Sequence, residues 1–201
     1  MPPQAPRLIL ASGSPRRQEL LREAGSAFLV SPADIDESVY PPGSSPAEIA
    51  EHLALAKARA VADRFPDDVV LAADTVVALG SDALGKPSDA ADARRLLSLL
   101  GGTAHEVITG VAVIHASANL TRLARVASAV HMRALTAAEM DAYIATGDWQ
   151  GKAGGYGIQD QDPFVTRMSG CLTNIVGLPM THTRQLLAEA GIHPNADKGI
   201  L

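Results

Sequence analysis

Six residues near the start of the chain, Ser12-Gly13-Ser14-Pro15-Arg16-Arg17, combine two hydroxyls, a glycine and two guanidinium groups. An apolar run, Leu8 to Ala11, leads into them, and an amphipathic stretch to about Ala24 follows. The expected local structure is therefore a strand, a polar turn and a helix opened by Pro15 and stopped by Gly25. Cations in the first turn of a helix oppose its dipole. A bound anion reverses that sign, because free N–H groups and guanidinium forks both suit phosphate oxygens. The competing reading is two arginines turned to solvent. Asp34, Asp36 and Glu37 follow a short strand, Phe28 to Val30, and read either as a solvated loop or as oxygen ligands. Asp74 is sharper. It interrupts two apolar runs, Val69–Ala73 and Val76–Leu79, where a lone charge is expensive to bury. Either the strand ends there and Asp74 lies at the carboxyl edge where ligands of open α/β sheets gather, or a partner holds it. Several carboxylates converging would suit Mg²⁺ or Mn²⁺.

Two lysines add to this set. Lys57 lies four residues after Leu53 and four before Val61, on the part of a helix that should face protein. Its stem either covers apolar surface while the ammonium reaches water, or the ammonium meets a substrate. Lys86, in Gly85-Lys86-Pro87, is a turn lysine unless a ligand lies beside it. The run Gly80 to Lys86 spells G-x-x-x-x-G-K, but Pro87 stands where a phosphate-binding loop needs Ser or Thr and the start of a helix. That excludes a nucleotide-binding loop of the Walker type. No G-x-G-x-x-G opens a helix, no G-x-S-x-G elbow exists, and the six histidines and one cysteine lack zinc spacing. Cys171 reads as an inert buried thiol.

These residues must be positioned by elements that alternate. After the strand-turn-helix start come a Pro-, Gly- and Ser-rich loop (Tyr40 to Pro46), a long helix (about Ala47 to Arg64) and strand-like segments either side of Asp74. A helix over 88–100 follows, then two β-rich segments expected to pair (Val107 to Ile114 and Ala124 to Met132). Thr136 with Glu139 forms a capping-box signature before a helix to Ala145. A Gly-rich loop (Gly147 to Gly157), the segment Ile175 to Pro179, a helix to Ala190 and a polar tail complete the chain. The alternation over the first 100 residues argues α/β, and no linker marks a boundary, so residues 1–201 read as one domain. Net charge −5 and only 3% aromatic residues argue against a nucleic-acid binder and for an aliphatic, alanine-rich core. No apolar run approaches the roughly 20 residues of a membrane span. One cysteine and an N-terminus without a secretory apolar stretch point to the cytoplasm.

Seven segments, in order, resemble the Maf-type nucleoside triphosphate pyrophosphatases. They are LASGSPRRQELL (10–21), DIDE (34–37), LAKA (55–58), ADTVV (73–77), GKP (85–87), GKAGGYGIQ (151–159) and NIVGLP (174–179). The resemblance implies an elongated, two-lobed mixed sheet flanked by helices, similar to the inosine triphosphate pyrophosphatases, with the site in the central cleft. It implies release of pyrophosphate from a nucleoside triphosphate with a divalent metal, Mg²⁺ or Mn²⁺, and Asp74 as proton acceptor. Arg16, Thr75 and Gln159 match the branch acting on dTTP and UTP rather than the one acting on 7-methyl-GTP. Ser12, Arg17, Lys57 and Lys86 match positions around the phosphates, and Glu37 joins Asp74 as a metal ligand. On this reading Thr75 and Gln159 hydrogen-bond the base. Two places depart from the family pattern: Gly151 stands where an acid is common, and Cys171-Leu172 stands for Ser-Tyr. A nucleotide-binding regulator of cell division is the alternative from another class, and a homodimer is left open.

Overall fold

The structure is a computed structural model and describes residues 5–160 and 164–193. The polar tail expected after Gly191 lies, from residue 194, outside them. The chain order is β1 (Leu8–Leu10), α1 (Pro15–Glu23), β2 (Leu29–Val30), α2 (Pro46–Ala62), β3 (Val69–Leu79), β4 (Asp82–Leu84) and α3 (Ala90–Leu100). Then come β5 (Ala104–His115), β6 (Leu120–Met132), α4 (Ala137–Thr146), β7 (Val165–Ser169), α5 (Leu172–Val176) and α6 (Met180–Glu189). The expected capping box at Thr136 and Glu139 forms, and a second, at Ser45 and Glu48, starts α2 with Pro46 next to the cap. Both satisfy N–H groups that the first helical turn leaves without partners.

The strands form one mixed sheet in the order β2-β1-β3-β5-β6-β7, with β4 also paired to β3. β1 runs parallel to both β2 and β3, and the remaining pairs are antiparallel. The expected α/β class, a mixed sheet flanked by helices, is what forms. The expected break at Asp74 does not. β3 is continuous for 11 residues, and every position from Val69 to Ala78 pairs with β5. A ladder of that length holds the backbone extended through the charge, and a partner for the carboxylate removes the reason to break. β4, β7 and the short helix α5 do not follow from the sequence reading, which has only the segment Ile175 to Pro179 where α5 ends. β4 is only three residues, and the β7 stretch Val165–Ser169 carries Arg167 and Met168 with no clean alternation.

One face of the sheet is covered mainly by α2, with Ala33, Ile35 and Phe65 at its margins. Ile49, Ala50, Leu53, Ala54, Ala58 and Val61 recur at helical spacing and meet Val70, Ala72, Val76 and Ala78 of β3 and Ile108, Ala112 and Ile114 of β5. The other face carries two separate cores. Leu8, Leu10, Leu71, Ala73, Val111 and Val113 pack under α1 and α6. Val77, Val107, Val130 and Met132 pack under α3 and α4 with Tyr143, Trp149 and Tyr156. Between these cores, on the same face, sit Thr75 and its cross-strand partner Thr109.

Register also leaves a gap. β1 pairs with residues 69–71 of β3 and β4 with 77–79, so residues 72–76 have no strand on that edge. Neighbouring side chains on a strand point to opposite faces. At a gap, both faces are reached from one side.

Candidate active site

A cavity of about 660 Å³ opens over this gap. Its wall includes Ser12, Arg16, Arg17, Glu37, Lys57, Asp74, Thr75, Lys86 and Gln159, the nine site residues that the resemblance implies. Asp34 and Asp36 are not in it. Asp36 turns back on its own loop, accepting hydrogen bonds from Ser38 N (2.9 Å) and Ser38 Oγ (2.6 Å). Of the three acids after β2, only Glu37 faces the cavity.

Asp74 points toward α2 and is 5% exposed. Lys57, 7% exposed, donates from Nζ to Asp74 Oδ1 at 2.5 Å and pairs with Glu37 Oε1 at 2.8 Å. The reading in which Lys57 reaches bulk water is therefore overturned. Two helical turns before it, Ala50 rests on Gly110, the partner of Asp74 across the ladder. A Cβ on Gly110 would lie 2.3 Å from the Ala50 carbonyl oxygen. The absent side chain is what lets α2 come close enough for Lys57 to meet the strand. Lys86 closes the set, donating to Glu37 Oε2 at 2.6 Å. Burial pushes the Glu37 carboxyl up, but Lys57 and Lys86 together outweigh it and hold the group down at about 2.

The arginines come from the first turn of α1, where Ser14 is the N-cap. Arg17 does not point to solvent. Its Nε donates to Gly177 O (2.8 Å), Nη1 to Ser12 Oγ (3.2 Å) and Nη2 to Thr75 Oγ1 (3.1 Å). Burial lowers its pKa, and the negative charge of Asp74 works against that. Arg16 reaches across the cavity to the Gly151 carbonyl (3.3 Å) and so joins α1 to the Gly-rich loop. Its pKa is also lowered by burial, with Asp160 opposing.

Three further participants had no role assigned from the sequence, although Lys152 and Tyr156 lie within the segment GKAGGYGIQ (151–159). Lys152, Tyr156 and Asp160 line the cavity beside Gln159. Asp160 pairs with Lys152 Nζ and accepts from Tyr143 OH (2.6 Å) and Gly157 N (2.8 Å), which folds the loop back on itself. Burial, reinforced by Asp160, raises the Tyr143 pKa, so the phenol stays a donor. Tyr156 OH meets His105 Nε2 at 2.6 Å. A position-by-position search for paired charges at i and i+8 could have found Lys152 and Asp160, but nothing marks Tyr143 as their partner. Cys171, read as buried, is partly exposed, with Sγ 3.2 Å from Thr173 Oγ1.

Chemically, the cavity holds five cationic side chains, three carboxylates and one loop with amide and hydroxyl groups. The cations suit a polyanion of the size of a triphosphate. Glu37 and Asp74 converge on one point, the Lys57 ammonium. No cluster of three or more His, Cys, Asp or Glu exists among the described residues. Two carboxylates with no nitrogen or sulfur donor fit a hard cation that takes its other ligands from phosphate and water, and do not fit zinc.

A family model described as a Maf-like protein matches residues 7–190. A dTTP/UTP pyrophosphatase of Anaeromyxobacter dehalogenans is 52% identical over 190 residues, which is 93% of this chain and 95% of that protein. One from Cereibacter sphaeroides is 50% identical over 187 residues, 92% of this chain and 95% of that protein. One from Symbiobacterium thermophilum is 44% identical over 185 residues, 92% and 94%. Among solved structures, the Ham1 protein of Staphylococcus aureus is similar with a TM-score of 0.47 and 17% identity, over 63% of this chain and 71% of that one.

Proposed function

The chain belongs to the Maf family, and from that premise we propose that it hydrolyses dTTP and UTP to the monophosphate and pyrophosphate. The relatives that match it over nine-tenths of its length carry that activity in their names. The observation that carries the reading is the convergence of Asp74 with Arg16, Arg17, Lys57 and Lys86 on one cavity. In phosphoryl transfer, positioning and charge neutralisation do most of the catalysis.

Arg16, Arg17 and Lys86 bind the triphosphate tail, with Ser12 beside them. Lys57 fixes Asp74, and Asp74 takes a proton from the attacking water. The water oxygen bonds to the α-phosphorus, the bond from that phosphorus to the bridging oxygen breaks, and pyrophosphate leaves with the electron pair. Glu37 and Asp74 would hold a divalent cation, Mg²⁺ or Mn²⁺, whose chemistry is to neutralise phosphate charge. Gln159, on the loop latched by Asp160, faces the base and distinguishes pyrimidine edges by hydrogen bonding. Every group in this scheme comes from one chain. β3, β5 and β6 each run past the gap, in keeping with a single domain of two lobes. A cytoplasmic setting accords with the single, unpaired Cys171.

Replacement Asp74→Asn tests the scheme. Turnover of dTTP and UTP should fall about 100-fold or more, the range of a lost general base, with circular dichroism unchanged. Near wild-type turnover would remove Asp74 from that role. Product analysis tests the bond cleaved: diphosphate plus phosphate instead of monophosphate plus pyrophosphate contradicts attack at the α-phosphorus.

A further inference from the structure

Thr75 sits between the cavity and the interior, and its hydroxyl is already engaged. Arg17 Nη2 donates to Thr75 Oγ1 (3.1 Å). Thr75 Oγ1 and Thr109 Oγ1 are 3.0 Å apart. Thr109 Oγ1 donates to the Asn174 carbonyl at 3.1 Å. A hydroxyl has one proton to give. The proton of Thr109 goes to Asn174 O, so the Thr75–Thr109 contact must use the proton of Thr75. The direction is thereby settled from end to end: Arg17 N–H to Thr75, Thr75 O–H to Thr109, Thr109 O–H to the Asn174 carbonyl. Thr75 has no proton left for a base or a phosphate.

We infer that Thr109 is a positioning residue, which acts through Thr75 to set the plane of the Arg17 guanidinium. Three further observations support this. Thr109 is fully buried, between the two cores of its sheet face, where an unneeded hydroxyl is costly. Two of the three anchors of Arg17 lead to one short segment: Gly177 O directly and Asn174 O through the two threonines. Gly177 has φ of +122°, a conformation that residues with a Cβ rarely adopt, so the turn that presents its carbonyl to Arg17 depends on glycine. With Gly177, Ser12 and Thr75 as acceptors, three of the five guanidinium N–H groups are held by protein, and two are left for phosphate oxygens in a fixed plane. Thr75 thus contributes to substrate binding by way of Arg17, rather than by touching the base.

The inference rests on the triphosphate reading, and its test separates the two. Thr109→Val keeps the shape and removes the hydroxyl, while Thr109→Ser keeps the hydroxyl. For Thr109→Val, KM for dTTP and the Kd for inorganic tripolyphosphate should both rise about fivefold or more with kcat changed less, the pattern of lost binding common to ground and transition states. Thr109→Ser should stay within about twofold of wild type. In an Arg17→Lys background, where no planar fork exists to be set, Thr109→Val should change KM and Kd by less than about twofold. A purely structural role would lower the active fraction, and so apparent kcat, and leave KM alone. That result, additivity with Arg17→Lys, a Ser variant as impaired as Val, or no tripolyphosphate binding by the wild type would each overturn the inference. If Thr109→Val fails to fold, Thr75→Val breaks the same chain one link nearer the surface and should show the same dependence on Arg17. If wild type releases no pyrophosphate from dTTP or UTP while tripolyphosphate binding still depends on Thr109 through Arg17, the substrate reading fails and the positioning role stands.

Discussion

Lys57 and Asp74 show how one pair can serve both stability and chemistry. Each is almost fully buried; Asp74 is tolerable because Lys57 meets it, and Lys57 because Asp74 and Glu37 do. Removing one partner leaves an uncompensated charge in the interior. Lys57→Met should therefore lower stability by about 3 kcal/mol at neutral pH, read from urea unfolding. A loss below about 1 kcal/mol would mean that water reaches Asp74 in the variant. The sequence marked Asp74 by its place between apolar runs and Lys57 by its place on an apolar helix face. It did not reveal that the two anomalies explain each other, because 17 residues and a change of element separate them. Thr109 was invisible for a simpler reason. A threonine within a β-rich run is ordinary, and only its depth and partners make it otherwise.

Among the elements, α2 and the gap in β3 do most to build the cavity. α2 supplies Lys57, and its approach is controlled by Gly110 on β5. Gly110→Ala would drive a methyl carbon into the backbone of Ala50, which a helix relieves only by moving as a unit. The variant should lose about 3 kcal/mol of stability, the upper part of the usual range for overpacking. It should also lose turnover in the fraction that still folds, because Lys57 withdraws from Asp74 with the helix. Wild-type turnover in folded Gly110→Ala would show that the height of α2 is not what sets the site. The start of α4 was well marked by Thr136 and Glu139, since capping is a local matter, whereas the equivalent box at Ser45 and Glu48 was not read. The continuity of β3 was not marked, because a strand through a charge depends on the neighbours that pair with it and neutralise it.

For the molecule as a whole, unfolding in mild acid should report His105. Its ring is buried, and burial, with a smaller contribution from the charge of His131, lowers its pKa from the ordinary 6.5 to about 4. Between those values the unfolded chain binds a proton that the folded chain refuses, so stability falls as pH falls through that window. The loss should be about 2 kcal/mol on going from about pH 8 to about pH 5, and His105→Gln should largely abolish it. Glu37 contributes below this window: its pKa is lowered to about 2, so its stabilisation is full above the ordinary value of 4.5 and fades beneath it. A midpoint in urea that is flat from pH 8 to 5 would contradict the buried, neutral ring. The amino-acid sequence on its own determined the class of fold, the approximate bounds of the longer helices and the chemical types gathered for the site, because capping, periodicity and residue type act over a few neighbours. The tertiary structure alone decided that Asp74 and Thr75, adjacent yet on opposite faces, open onto one cavity. It also decided that Thr75 faces an arginine and that the loop after Gly151 is latched by Asp160. Those outcomes depend on register and on side-chain contacts across as many as 160 positions of chain, and the physics that sets them acts only once the elements have packed.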